Sequence, residues 1–285
     1  MLETQFYYMK IYFITFILVN LIRFASAQTP QTAQNHLETG KKLLDQNKIE
    51  LAIESFTQAI IMDKNFAEAY QKRGLAYYAF ANYPKAEENY NQAILLQPKY
   101  AEAYYCRGVL DFMQGKIITA KRDFEQTLAY MPTYVQAMMS LAAIALRDLD
   151  NKTAFDWYSK AIETEPNYAF AYYERAAMYY NIFEEDKKAF IDVSKAILLK
   201  NDYADAYHLR GLLEYQLKKY HKALPDFDKA IALNPNDTDY YLERAQIHFK
   251  LKNKEKACTD FKKAVSLGVE DKILEKKYCG KSTTN

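Results

Sequence analysis

Residues 67–100 read AEAYQKRGLAYYAFANYPKAEENYNQAILLQPKY, and residues 101–134 read AEAYYCRGVLDFMQGKIITAKRDFEQTLAYMPTY. Each stretch has 34 residues, and the second begins where the first stops. The two share a glycine, an alanine and a closing proline, held by Gly74 and Gly108, Ala86 and Ala120, and Pro98 and Pro132. Such a period, with small residues at set offsets, is typical of a two-helix repeat that stacks into an array.

The same small residues continue through the chain at a nearly constant spacing. One position is held by Gly40, Gly74, Gly108, Ala142, Ala176, Gly211 and Ala245, and another by Ala52, Ala86, Ala120, Ala154, Ala189, Ala223 and Ala257. Each series keeps a spacing of 34 residues except for one step of 35. We therefore predict seven copies from residue 33 to residue 271. The extra residue is expected in a turn near residues 184–186, because turns accept insertions better than packed helices do.

Close helix packing explains why these positions are small. Only Gly or Ala lets two backbones approach at a crossing, and a neighbouring ring then fills the remaining space. Such a ring recurs at Tyr90, Phe124, Tyr158, Phe227 and Phe261. A single copy cannot bury its apolar faces alone, so the copies must stack on one another.

The repeat resembles the tetratricopeptide repeat (TPR) family over about 240 of the 285 residues. This resemblance implies an all-α fold, a right-handed α-solenoid of seven helix-turn-helix repeats at residues 33–271. Residues 272–285 are expected to form a capping helix and tail that cover the open end of the stack. Ile273, Leu274 and Tyr278 are predicted to share the apolar face of that helix.

The N-terminal residues 1–27 differ in composition from the repeats. An apolar run at residues 11–22 (IYFITFILVNLI) follows Lys10 and precedes a small-x-small site at residues 25–27. This pattern predicts a signal peptide cleaved before Gln28, and a short linker at residues 28–32. The alternative is an uncleaved membrane anchor, although the run is shorter than the roughly 20 residues that span a bilayer. We expect an exported protein, periplasmic or secreted, that contacts a membrane only if this segment is retained.

Composition and motifs give no indication of nucleic-acid binding or catalysis. Lys plus Arg is 38 and Asp plus Glu is 36, so the net charge of +2 does not favour a nucleic-acid partner. The four histidines are scattered without metal-ligand spacing, and the chain has no glycine-rich phosphate loop and no GxSxG motif. We therefore expect no catalytic, cofactor or metal site, and a protein that is not an enzyme.

The three cysteines divide into one expected core thiol and one pair. Cys106 lies at core spacing in the first helix of the third copy. Cys258 opens the second helix of the seventh copy, Cys279 ends the capping helix, and antiparallel packing brings these helix ends together. Export would place both in an oxidising compartment, so we predict a disulfide between Cys258 and Cys279. The alternative is two unpaired thiols.

A series of arginines precedes the small position, at Arg73, Arg107, Arg175, Arg210 and Arg244. The favoured interpretation is structural, with the stems packed between copies and the charged heads on acids or helix ends. The alternative is a row of cations along a groove for acidic ligands.

The TPR resemblance also implies where a partner would bind, because first helices line the concave surface in that family. The expected groove residues are Gln71, Leu75, Tyr105, Val109, Met139, Tyr173, His208 and Leu212. An apolar, aromatic groove suits an extended peptide or a partner helix. The carboxylate clamp of some relatives is not met, since its positions hold Leu37, Lys41 and Lys72.

The resulting hypothesis is a non-enzymatic protein–protein interaction scaffold with a protein or peptide partner. A membrane-anchored assembly factor that retains residues 11–22 is the alternative, and self-association through apolar faces stays open.

Overall fold

The computed structural model describes residues 32–280, which form fifteen α-helices and no strand. The all-α class is confirmed. The predicted signal peptide or anchor at residues 1–27, the linker up to residue 31 and the tail at residues 281–285 lie outside the described residues. Two compact units divide the chain after Pro132. Within the described part, no helix is long and apolar enough to cross a membrane.

The first unit contains three helix pairs, one for each of the first three copies. Its helices are α1 (Ala33–Asp45), α2 (Ile49–Met62), α3 (Ala67–Ala79), α4 (Tyr83–Leu96), α5 (Ala101–Met113) and α6 (Ile117–Tyr130). Each pair packs the two helices of one copy together, and its aromatic core residue is Phe56, Tyr90 or Phe124, all fully buried. Burying one such ring contributes roughly 2–3 kcal/mol.

The second unit contains four further pairs and a last, shorter helix. Its helices are α7 (Val135–Arg147), α8 (Asn151–Thr164), α9 (Ala169–Asn181), α10 (Asp186–Leu199), α11 (Ala204–Gln216), α12 (Tyr220–Leu233), α13 (Thr238–Lys250), α14 (Lys254–Ser266) and α15 (Lys272–Cys279). The seven pairs in the described chain agree with the predicted repeats.

The turn inside each copy has a repeated geometry. Six of these turns have three residues, and the middle residue is left-handed at Asn47, Ala81, Gly115, Leu149, Lys218 and Lys252. The turn between α9 and α10 spans residues 182–185, one residue longer, with Glu184 at φ 53°. The extra residue therefore lies in this turn, as predicted.

The small position and the ring position of a copy are in direct contact. A Cβ added to Gly211 on α11 would lie 2.7 Å from Cε2 of Phe227 on α12, which is closer than real Cβ contacts allow. Gly74 and Gly108 stand in the same relation to Tyr90 and Phe124. The ring thus occupies the space that the missing side chain leaves, which confirms the predicted reason for small residues here.

The last helix covers the end of the seventh copy. Asp271 caps α15, since its Oδ1 accepts hydrogen bonds from the backbone N–H groups of Ile273 at 2.8 Å and Leu274 at 2.9 Å. Tyr278 is buried, with its ring centroid 5.6 Å from that of Phe249 and 6.0 Å from that of Phe261. The placement of Ile273 on the same face is wrong, because this side chain is 80% exposed. Residues 274 and 278 are one turn apart and face the stack, whereas residue 273 is rotated away.

Cys258 and Cys279 join α14 to α15. Their sulfur atoms form a disulfide bond, and the two Cα atoms are 4.7 Å apart. This link adds a covalent contact to the packing of Tyr278 and ties the short helix to the second helix of the seventh copy.

Candidate functional site

Gln71 is the one expected groove residue of the first unit that the structure buries. Its side chain on α3 is 2% exposed, and its Nε2 donates to Sγ of Cys106 on α5 at 3.1 Å. Its Oε1 is buried and has no hydrogen-bond partner among the described residues. Cys106 is partly buried, and burial raises the pKa of its thiol. Gln71 therefore links the second copy to the third.

Three expected residues of the first unit are partly exposed. They are Leu75 on α3, and Tyr105 and Val109 on α5. The ring of Tyr105 lies against Phe124, with the centroids 5.8 Å apart. Part of each side chain is thus accessible while the remainder packs against its own copy.

Four expected residues belong to the second unit, and all are partly exposed: Met139, Tyr173, His208 and Leu212. Met139 packs against the cluster around Tyr158. The Tyr173 ring lies 4.8 Å from that of Tyr203, and burial raises the pKa of Tyr173 to about 12. The Tyr173 ring on α9 thus packs against the residue that precedes α11.

His208 joins two copies. Its Nε2 is hydrogen-bonded to Oε2 of Glu243, which α13 supplies. Its ring lies 4.8 Å from Tyr240 and 5.6 Å from Phe227, measured between centroids. These contacts leave the His208 side chain 21% exposed.

Three carboxylates next to these residues are absent from the sequence prediction. They are Glu174 on α9, Asp205 on α11 and Glu243 on α13. Oδ1 of Asp205 accepts a hydrogen bond from the Tyr240 hydroxyl at 2.6 Å. Glu174 has no hydrogen bond to any described residue, and burial, followed by the charge of Asp205, raises its pKa. The sequence offers a signal for two of them, since Glu174 directly follows Tyr173 and Glu243 lies at the equivalent position two copies later.

The arginine series forms ion pairs inside the copies. In four copies Nε and Nη2 of the arginine on the first helix donate to both oxygens of an aspartate on the second helix, at 2.6–3.0 Å. The pairs are Arg107–Asp123, Arg175–Asp192, Arg210–Asp226 and Arg244–Asp260. The four aspartates are nearly buried. This arrangement supports the structural interpretation for these four arginines.

Arg73 differs from the other four. Its Nε donates to Oδ1 of Asn89 at 2.8 Å, and its Nη1 donates to Oγ1 of Thr57 at 3.2 Å. No carboxylate of the described chain forms an ion pair with it. Its guanidinium therefore has neutral hydrogen-bond acceptors where the other four have a carboxylate.

Metal binding has no geometric basis in residues 32–280, because no group of three or more His, Cys, Asp or Glu side chains could hold an ion there.

Comparisons with known sequence families identify the repeat. A tetratricopeptide repeat model matches residues 204–237 and a second one matches residues 238–267, while a TPR repeat model matches residues 40–79 and 82–115. Both compact units are thus matched. No curated protein matches the sequence significantly.

Solved structures of low sequence identity share the fold. A tetratricopeptide repeat protein from Parabacteroides merdae is 19% identical with a TM-score of 0.58, covering 87% of this chain and 98% of that chain. Pseudomonas aeruginosa pilF is 14% identical with a TM-score of 0.67, covering 76% and 97%. A chain of the APC/C hetero-tetramer Cut9–Hcn1 is 14% identical with a TM-score of 0.66. The match covers 87% of this chain but only 47% of that chain.

Proposed function

Because the chain belongs to the tetratricopeptide repeat family, we propose that it is a non-enzymatic scaffold that binds a peptide or partner helix along its first helices. Proteins of this family generally mediate protein–protein interactions. Repeat arrays present extended binding surfaces, and the chemistry of the exposed positions selects the partner.

One observation carries the proposal: three successive first helices of the second unit present aromatic and acidic side chains together. We call this set the α9–α13 surface, and it consists of Phe170, Tyr173, Glu174, Asp205 and Glu243. Phe170 is 43% exposed, and its ring lies 5.1 Å from that of Tyr203. Asp205 is also exposed, and Tyr173, Glu174 and Glu243 are partly exposed, so a partner can reach these side chains.

The chemistry of this surface favours a particular kind of peptide. Rigid rings give a large contact area at a small loss of side-chain entropy. Carboxylates form charge-assisted hydrogen bonds with lysine and arginine, each contributing roughly 1.5–3 kcal/mol. A segment with apolar and basic side chains therefore matches the α9–α13 surface best.

Export is part of the proposal. The basic residue, apolar run and small-x-small site of residues 1–27 support a cleaved signal peptide. The Cys258–Cys279 link also suits a periplasmic or secreted protein, because such bonds persist in oxidising compartments. Retention of residues 11–22 as an anchor is the alternative.

A displayed library of random peptides tests the binding function directly. The immobilised protein should enrich peptides that share Lys or Arg next to an apolar residue. Tyr173→Ala and Asp205→Asn should each weaken the binding of an enriched peptide at least about tenfold, which corresponds to the loss of one such contact. Leu198→Ala is the control, because Leu198 is 76% exposed on α10, away from the first helices. A library that yields no enriched sequence, or binding lost only in the Leu198 variant, would refute the proposal.

A further inference from the structure

Arg73 lies in a copy whose buried aspartate is replaced by an amide. In the third, fifth, sixth and seventh copies the arginine meets an aspartate through two hydrogen bonds. The second copy has Asn89 at that position, so the guanidinium has one neutral acceptor instead of a charged pair. The chain thus contains its own comparison, in which an amide replaces the carboxylate at one position.

Asn89 is oriented so that it accepts no hydrogen bond from Nη2 of Arg73. Its Nδ2 donates to the backbone carbonyl of Lys85 at 2.7 Å, which leaves only Oδ1 facing Arg73. Nη1 of Arg73 is used by Thr57, and Nη2 has no partner among the described residues. The N–H groups of Nη2 are therefore available to donate hydrogen bonds to a ligand.

A cavity of about 320 Å³ lies at this guanidinium. It is lined by Tyr70, Arg73, Glu88, Asn89 and Gln92. The guanidinium carbon lies 5.4 Å from the centroid of the Tyr70 ring, which fixes the plane of the head group. The Gln92 amide has no hydrogen bond to the described chain and can donate to the same ligand. Glu88 is exposed, and its negative charge repels an anion, but no ion pair joins it to Arg73 in the part of the chain that the structure describes.

We propose that Arg73 and Gln92 form a binding site for an oxyanion, either a carboxylate or a phosphate group. A planar guanidinium with a free edge matches these groups, because it donates in the geometry that their oxygens accept. The cavity has room for such a group, since one water molecule takes up only about 30 Å³ of liquid volume. The site is separate from the α9–α13 surface and does not depend on it.

Asn89→Asp is the decisive variant. It should give Arg73 the internal partner that the other copies have, and so close the site without removing the arginine. Thermal unfolding of the full chain would be followed in sodium phosphate, sodium acetate and sodium chloride at equal ionic strength. With about 50 mM phosphate and a dissociation constant of about 10 mM, the midpoint of the wild type should rise by about 2–4 °C over chloride.

The expected pattern separates binding from general salt effects. Asn89→Asp should unfold at a higher temperature than the wild type in chloride and lose the phosphate-specific rise, whereas phosphate exclusion would stabilise both proteins equally. A rise in acetate as well as phosphate would show that the site accepts carboxylates too, and a rise in phosphate alone would restrict it to phosphate groups. An equal rise in both proteins, or none in the wild type, would overturn the proposal.

Asp123→Asn supplies the converse test. It gives Arg107 in the third copy an amide partner like that of Arg73 and should restore a phosphate response in an Asn89→Asp background. Nitrogen NMR of the arginine side chains gives a direct readout, because the Nε signal of Arg73 should move on phosphate addition in the wild type only. An unchanged Nε signal at saturating phosphate would contradict the assignment.

Discussion

Arg107 on α5 and Asp123 on α6 form a two-point ion pair, with Nε–Oδ2 at 2.7 Å and Nη2–Oδ1 at 2.9 Å. The aspartate side chain is 2% exposed, and Arg107 supplies the cation next to it. The same residues recur sixteen or seventeen positions apart in three later copies. The pair therefore joins the two helices of a copy at a fixed place.

Asp123→Ala should destabilise the first unit by about 2–3 kcal/mol, because the guanidinium of Arg107 loses its partner while staying partly buried. Urea unfolding of the variant would measure this change. The double variant Arg107→Met/Asp123→Ala should recover a large part of the loss, since no unpaired charge is then left. A loss below about 0.5 kcal/mol in the single variant would show that the pair is only a surface contact.

Glu174 predicts a dependence of stability on pH. Its pKa is higher in the folded chain than the ordinary value of 4.5, through burial and then the charge of Asp205. Ionisation therefore opposes folding, and this penalty is absent below the ordinary value and fully present above the raised one. Glu174→Gln should increase the unfolding midpoint at neutral pH by about 1–3 °C and have no effect at low pH.

Glu163→Gln provides the control for that experiment, because Glu163 is an exposed carboxylate on α8. Thermal unfolding of both variants across the acidic range should show a pH-dependent difference for Glu174 alone. A Glu174→Gln effect that is constant with pH would mean that the carboxylate charge plays no part.

Leu149 occupies a left-handed position with φ 61° in the turn between α7 and α8. The side chain is 83% exposed, so its removal costs little packing. Leu149→Gly should stabilise the protein by about 0.5–1 kcal/mol, because a left-handed L-residue is strained by about 1–2 kcal/mol and glycine is not. The chain itself has Gly115 at this place in the third copy. Leu149→Ala keeps the Cβ and should change little; an equal gain in both variants in urea unfolding would exclude backbone strain as the cause.

The sequence predicted the helices and their pairing because these depend on contacts inside one copy. The Gly211–Phe227 and Arg107–Asp123 contacts each join residues sixteen apart within one copy, and four copies have a contact of each kind. The side chains at the expected binding positions follow a different rule. Gln71 meets Cys106 and His208 meets Glu243, in each case 35 residues away on the next copy. Their exposure depends on pairs of variable residues, which no period in the sequence reveals.

The contact between Gly211 and Phe227 predicts that Gly211→Ala destabilises the wild-type protein but stabilises a Phe227→Val variant. Gly211→Ala should destabilise the protein by about 1–2 kcal/mol, since the new Cβ would lie 2.7 Å from the Phe227 ring and overpacking outweighs the gain in helix propensity. With Phe227→Val the ring is absent, and Gly211→Ala should then stabilise by about 0.5–1 kcal/mol. The fifth copy has this combination naturally, as Ala176 and Val193, both buried. A destabilising effect of similar size in both backgrounds, measured by urea unfolding, would assign the role of Gly211 to the backbone.

The Cys258–Cys279 link predicts how many cysteines can be alkylated and how much stability is lost when the bond is removed. The chain has three cysteines, so alkylation of the unfolded, unreduced protein should add one group, at Cys106, and alkylation after reduction should add three. Three groups without reduction would show that the bond is absent.

Because the bond closes a loop with a sequence separation of 21, Cys279→Ser should destabilise the seventh copy by about 3 kcal/mol. Hydrogen exchange of α14 and α15 would measure that loss, and Cys106→Ser, which removes the unpaired thiol, should leave their exchange unchanged. Faster exchange confined to α15 would instead mean that the bond fastens the capping helix without supporting α14, so that α14 stays folded even when α15 opens and Tyr278 leaves Phe261.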